Sequence, residues 1–286
     1  MVRRGVLTAD LHTFTNPPYV DGMTEFLEAD LSSARFERVN LRNASFSEVY
    51  LNDGLFTRVD FTGAEVKGAK LHHVKLRSVE LFDVEISGDL KGVVVNGVDI
   101  APLVEAELDR RDPLRAKMRA DDVPGFQEAW TIVRGLWTDT VERARKLPEE
   151  TLHASVDGEW SFIQTLRHLN FASAAWVGRM ILGDPAPWHP LELPWDEAPG
   201  WDGIPWDRDA RPGLDEVLAV RRERQAMVAK VIDELTPEQL AGTVTMTEAG
   251  WPQLEEFPVE QCLSIVLNEE YQHRLYAERD LTALES

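Results

Sequence analysis

Glu269 and His273 stand four residues apart in FPVEQCLSIVLNEEYQHRLYAERDL, residues 257–281. Residues at that spacing on an α-helix lie one turn apart on the same face. Apolar residues recur three to four apart around them, at Cys262, Val266 and Tyr276, so the pattern places both ionisable groups where core residues belong. A buried carboxylate and imidazole are costly unless each has a strong partner. A divalent cation is one such partner, and the pair then reads as half of a metal site. An ordinary ion pair or a solvated face is the alternative. Cys262 shares the stripe, as a thiol near a metal or as a small buried hydrophobe.

Completing such a site takes a ligand from another helix, and the sequence supplies a bundle of four. Pro124 opens the first, with Phe126, Trp130, Val133, Trp137, Val141 and Ala144 on its apolar face, and Pro148 follows its end. A capping box at Ser161 and Gln164 starts the second, which carries Phe162, Leu166, Leu169, Ala172, Trp176 and Met180 to Gly183. The third spans Leu214 to Leu235, and the last holds Glu269 and His273, with Pro258 in its first turn. His168, beside core residue Leu169 on the second helix, is the candidate third ligand; a core histidine bonded to a backbone carbonyl is its plain alternative. His12, His72, His73, His153 and His189 read as surface residues. Between the second and third helices, residues 184–211 hold Trp188, Trp195, Trp201 and Trp206 and six prolines. A loop of that length with four tryptophans should fold onto something, as a lid over the site or as an interface.

Residues 22–100 have another period. Every fifth residue from Phe26 (Leu31, Phe36, Leu41, Phe46, Leu51, Phe56, Phe61, Val66, Leu71, Leu76, Leu81, Ile86) is apolar, and a small or β-branched residue stands two before each from Ala29 on. Positions i and i−2 share one side of an extended chain, so each unit offers one large and one small apolar side chain to an interior. A turn in every unit is needed to keep them inside, which describes a solenoid of stacked coils. The register slips near Asp89, after which Val93 with Val95 and Val98 with Ile100 resume it.

EADLSSARFERVNLRNASFSEVYLND resembles a pentapeptide-repeat protein, with units of the form A-[D/N]-L-x-x. The resemblance implies a right-handed, four-sided β-helix, here of about four coils. WSFIQTLRHLNFASAAW together with the Glu269 and His273 pair resembles the DinB-like family, which includes mycothiol-dependent maleylpyruvate isomerase and other thiol S-transferases. That family has an unusual four-helix bundle with a metal triad, one histidine from the second helix and a pair four apart from the last. The resemblance places the triad at His168, Glu269 and His273; its thiol-dependent isomerases share glutamate at the first position of the pair, where other members have histidine.

The expected architecture is thus two domains: residues 1–106, a pentapeptide-repeat β-helix, and residues 107–286, an all-α DinB-like four-helix bundle. All nine tryptophans lie from Trp130 onward, and net charge is −6 over residues 1–110 and −14 over 111–286. A total of −20 repels nucleic-acid phosphates and anionic lipid, so no direct nucleic-acid or membrane partner is expected. One cysteine excludes an internal disulfide, and with no targeting segment in view the expected location is cytoplasmic. Two imidazoles and a carboxylate leave positions open on zinc, the expected ion, with nickel or iron as alternatives. The resemblance then implies a low-molecular-weight thiol such as mycothiol or bacillithiol acting on a small electrophile. The other reading is an interaction protein, its β-helix meeting a protein partner or a second copy and its bundle a scaffold.

Overall fold

The computed structural model describes residues 25–285 apart from 197, 199, 249 and 253–255, so His12 lies outside the described residues. The chain divides into two compact units, residues 1–84 and 85–286. In the first, the turn demanded of every five-residue unit is present. Glu28, Ser33, Arg38, Asn43, Glu48, Asp53, Arg58, Gly63, Gly68, His73, Ser78 and Asp83 all have φ between 51° and 73°, each two positions after the large apolar residue. The D/N position of the motif explains itself: Asp30, Asn40 and Asp60 accept the backbone N–H two residues on, at 2.9, 3.1 and 2.9 Å. In alternate units the chain also closes on itself, as where Ala34 N–H donates to Leu31 O at 2.9 Å and Ala64 N–H to Phe61 O at 2.9 Å.

The inward placement of the apolar residues is not met. Phe46 is 64% exposed and Phe61 61%, and no strand occurs among described residues 25–84. The turns are satisfied locally, but no ladder joins one coil to the next, and an apolar side chain without a stacked neighbour has nothing to pack on.

The second unit opens with a correction. Val93 to Ile100 do not resume the repeat but form a hairpin, β1 (Val94–Val95) and β2 (Val98–Asp99), paired antiparallel. Asn96 and Gly97, at φ 51° and 87°, make its two-residue turn. Helices α1 (Ala101–Arg111) and α2 (Pro113–Lys117) follow.

The four long helices are α3 (Val123–Ala144), α4 (Phe162–Ser173), α5 (Leu214–Asp233) and α7 (Val259–Leu284). Asp122 caps α3 through Gly125 N–H at 2.7 Å, and Ser161 with Gln164 forms the anticipated box at α4. From α4 the chain continues through a π-helical stretch, Ala174–Ile181, to Gly183 at φ 74°. A short helix α6 (Pro237–Leu240) and the pair β3 (Thr243–Thr245) and β4 (Glu256–Pro258) lead into α7.

Helix α4 lies at the centre, against both α5 and α7, and every residue from Phe162 to Ser173 except Gln164 is buried. The core of the bundle joins Phe126, Trp130, Val133 and Trp137 of α3 to Leu166 and Leu169 of α4, Val217 and Val228 of α5, and Leu263, Val266 and Leu267 of α7. It also buries an ion pair: Arg221 meets Glu270 in two bonds of 3.1 and 2.5 Å, its guanidinium 4.7 Å from the Trp137 ring centre, while Trp137 Nε1 donates to Glu270 O at 3.0 Å. No helix among the described residues is long and apolar enough to cross a membrane.

Candidate metal centre

The three residues singled out from the sequence meet. His168 Nε2 stands 3.3 Å from Glu269 Oε2, and His273 Nε2 stands 3.0 Å from the same oxygen. One ligand atom from each lies within 4.8 Å of the others. Rigid elements hold them: His168 in the buried middle of α4, and Glu269 and His273 one turn apart on α7. His168 Nδ1 lies 3.1 Å from Leu193 O, and only as an N–H can it bond a carbonyl. In the neutral ring Nε2 therefore presents its lone pair to a carboxylate oxygen. Two acceptors face each other, so a proton or a cation must lie between them. An imidazolium proton would satisfy this, and so would a cation; the donor set, two imidazoles and one carboxylate from two helices, suits zinc, iron or nickel. Burial pushes the Glu269 carboxyl up, but when His168 and His273 carry protons on Nε2 their hydrogen bonds to it outweigh burial and bring the group down to about 2.

The buried face of α7 differs from the expected stripe. Glu270 and Tyr271 enter the core with Val266 and Leu267, whereas Glu269 and His273 open on a cavity and Tyr276 is 47% exposed. The helix packs on two sides, so its core face is broader than one stripe and the ligands occupy its margin. Cys262 is fully buried beside Met180 and Met246, and burial pushes its thiol up to about 12. It is a packed hydrophobe there. His72 and His73 are exposed, and His153 and His189 sit half-buried in connections outside the cavity lining.

The cavity measures about 530 Å³, and the triad lies on its wall. Aromatic side chains make up much of the rest: Trp160, Phe171, Trp176, Trp195, Trp251 and Tyr276. Trp160 stacks on His273 at 5.8 Å and 11° and lies 4.5 Å from the His168 ring. Its Nε1 donates to both oxygens of Asp196 at 3.0 Å, and Asp196 is also paired with Arg208. Thus the tryptophan-rich loop packs on its own bundle: Trp195 and Asp196 are wall, and Trp188 stacks on Phe171 at 5.2 Å. Sequence reasoning missed Trp160 as a support for the histidines, and Trp251, which joins Phe171, Trp176, Trp195 and Trp201 in one aromatic cluster. Trp160 precedes a capping box and was visible as such; Trp251 stands in a connection with no periodic signal.

Comparison with known proteins agrees with both parts. Pentapeptide repeats, in eight copies, match residues 24–63 and 40–77, and the DinB superfamily matches residues 133–277. No curated protein and no solved structure matches the chain. With α4, most of α7 and the three converging side chains inside the matched span, which covers half of its length, the chain belongs to the DinB superfamily, joined to an N-terminal run of pentapeptide repeats.

Proposed function

We propose that this protein is a metal-dependent thiol S-transferase or isomerase of the DinB-like type, acting on a small electrophile in the cavity beside His168, Glu269 and His273. The observation that carries the reading is the aim of two imidazole Nε2 atoms at one carboxylate oxygen, with His168 pinned through Nδ1 to Leu193 O. A divalent ion, zinc first and nickel or iron as alternatives, would be held by these three residues and supply Lewis acidity that lowers the pKa of a coordinating thiol. The low-molecular-weight thiol and the electrophile enter from solution.

The residues of the chain do the rest. Leu193 O fixes the tautomer of His168, and Trp160, held by Asp196, fixes the plane of His273. The aromatic walls exclude water and orient a flat or apolar substrate. Elemental analysis of the purified protein should find about one divalent ion per chain, lost in His168→Ala and His273→Ala. Transfer of a thiol to 1-chloro-2,4-dinitrobenzene should follow metal content. Protein purified metal-free from replete cells, or transfer indifferent to metal, would end this reading.

For the repeats we propose the right-handed four-sided β-helix, supported by a left-handed turn in every unit from Glu28 to Asp83. One observation favours a second function, an interaction protein: Leu27, Tyr50, Leu55 and Phe82 stand outside the inward positions of the repeat and are exposed, an apolar surface for a protein partner or a second copy.

A further inference from the structure

Thr165 stands one turn before His168 on α4, and its hydroxyl behaves unlike those of the threonines on α3 and α7. Each of these bonds back to the carbonyl four residues earlier: Thr131 Oγ1 donates to Gln127 O at 2.8 Å, Thr138 to Arg134 O at 3.0 Å, Thr140 to Leu136 O at 3.0 Å and Thr282 to Glu278 O at 2.8 Å. A helical threonine reaches that carbonyl from one of its two favoured rotamers. Thr165 makes no such bond to Ser161 O, and its hydroxyl has no hydrogen-bond partner among the described residues, although the residue is only 5% exposed. The side chain lies instead on the wall of the cavity. A buried hydroxyl without a partner is costly, so its partner must come from what enters the cavity.

Its place on α4 gives the direction of that contact. Thr165, His168, Ala172 and Trp176 line the cavity at spacings of three and four, in one row along the helix. Thr165 ends this row on one side of the triad, and on the other Ala172 and Trp176 continue it, with Trp251 packed on Trp176 at 5.4 Å. At about 1.5 Å per residue, Thr165 lies about 4.5 Å along the axis from His168. A small molecule whose oxygen is held at Thr165 therefore extends past the triad and meets the aromatic side chains with its body. The proton that other threonines give to a backbone carbonyl is here free for that oxygen.

We propose that Thr165 is a substrate-binding residue whose hydroxyl donates to a neutral acceptor oxygen, carbonyl or nitro, of an electrophile whose aromatic or apolar body lies past the triad against Trp176 and Trp251. The proposal rests on the cavity being the reaction site and names the class of electrophile that the site takes.

The test uses acetophenone and α-methylstyrene, which has the same shape with a methylene in place of the carbonyl oxygen. Both are titrated calorimetrically into the EDTA-treated full chain as parent, Thr165→Val and Thr165→Ser. Valine keeps the volume and removes the hydroxyl, and serine keeps the hydroxyl. Thr165→Val should weaken acetophenone about 3-fold to 10-fold, the scale of one neutral hydrogen bond, and leave α-methylstyrene unchanged or tighter. Thr165→Ser should hold acetophenone within about twofold of the parent. Thr165→Val should also melt at or above the parent's temperature, since no bond inside the chain is lost. An unaltered acetophenone affinity in Thr165→Val, an equal loss for both probes, serine no better than valine, no binding of acetophenone to the parent, or a Thr165→Val chain that melts several degrees lower overturns the proposal. Because the probes are titrated without metal, the hydrogen bond can fail while zinc still binds, and zinc binding can fail while the hydrogen bond persists. The two readings are refuted separately.

Discussion

Replacing Glu269 with glutamine keeps the shape of the side chain and removes the charge shared by His168 and His273. Both Nε2 atoms converge on Oε2, at 3.3 and 3.0 Å, so the substitution alters the one atom common to the site. Loss of charge in such a position should weaken metal binding about 10-fold to 100-fold. At a free zinc concentration about 100 times the parent's Kd, the ion stabilises the parent by about 2.7 kcal/mol, through RT ln(1 + [L]/Kd). The same concentration stabilises a variant ten times weaker by about 1.4 kcal/mol and one a hundred times weaker by about 0.4 kcal/mol. For a unit of this size about 1 kcal/mol moves Tm by about 2–4 °C, so zinc should raise the melting temperature of the parent by about 5–11 °C and of Glu269→Gln by about 1–6 °C. Calorimetric melts with and without zinc, and with His189→Ala as a control outside the cavity, measure this directly. An equal zinc-induced shift in Glu269→Gln and parent would remove Glu269 from the metal's shell and refute the reasoning.

Glu192 supplies a pH test. Its carboxyl is fully buried, and burial pushes it up to about 7 although Arg224 and the His189 N–H hold it down. The folded chain then carries a proton that the unfolded chain has released between pH about 4.5 and about 7, so stability falls as pH rises through that window, by up to about 3 kcal/mol. Denaturant melts across the window should show the Glu192→Gln profile flatter than the parent's there, and parallel profiles would contradict this. Glu270→Gln leaves the Arg221 charge buried against Trp137 with its partner gone, which should cost about 3–5 kcal/mol. Glu270→Leu with Arg221→Met should recover most of it, and a single variant melting with the parent would show the pair to be inert. Phe46→Asp separates the two states of the repeats: with Phe46 exposed as here it changes stability by less than about 0.5 kcal/mol, whereas in a closed β-helix a buried charge abolishes the β signal in circular dichroism.

Much of the bundle was legible because each helix announces itself by local chemistry. Asp122 before Pro124 and Ser161 before Gln164 satisfy N–H groups that no other residue can reach, so α3 and α4 begin where the sequence says. The triad was legible for a similar reason: ionisable groups beside core positions need partners, and His168, Glu269 and His273 partner one another. What escaped depends on contacts between residues far apart in sequence. Nothing in the spacing distinguishes Glu270, paired to Arg221 in the core, from Glu269 at the cavity, since neighbours on a helix differ by only about 100° in direction. The repeats were legible as turns, because the turn lies within each unit, and not as a rod, because closure depends on bonds between coils.

The loop of residues 184–211 is better understood as wall than as lid, for a reason that lies on α4. Arg167 is buried, and its guanidinium donates to three carbonyls of the loop, Leu191 O at 2.8 Å, Ala210 O at 3.2 Å and Asp207 O at 2.5 Å. Leu193 N–H returns a bond to Arg167 O at 3.3 Å, and the next residue, His168, donates to Leu193 O at 3.1 Å. Lifting this segment would strand a charge in the core and release the ring whose tautomer the loop dictates. Burial holds the Arg167 pKa below its ordinary value while the Asp207 charge acts against it, so that carboxylate and the three carbonyls together keep the charge tolerable. A gate that dismantles a ligand each time it opens would disarm the site it guards. On the proposed function, substrate would then reach the triad past the margin of the cavity, where Glu159 and Tyr276 are exposed, with the loop packed on α4.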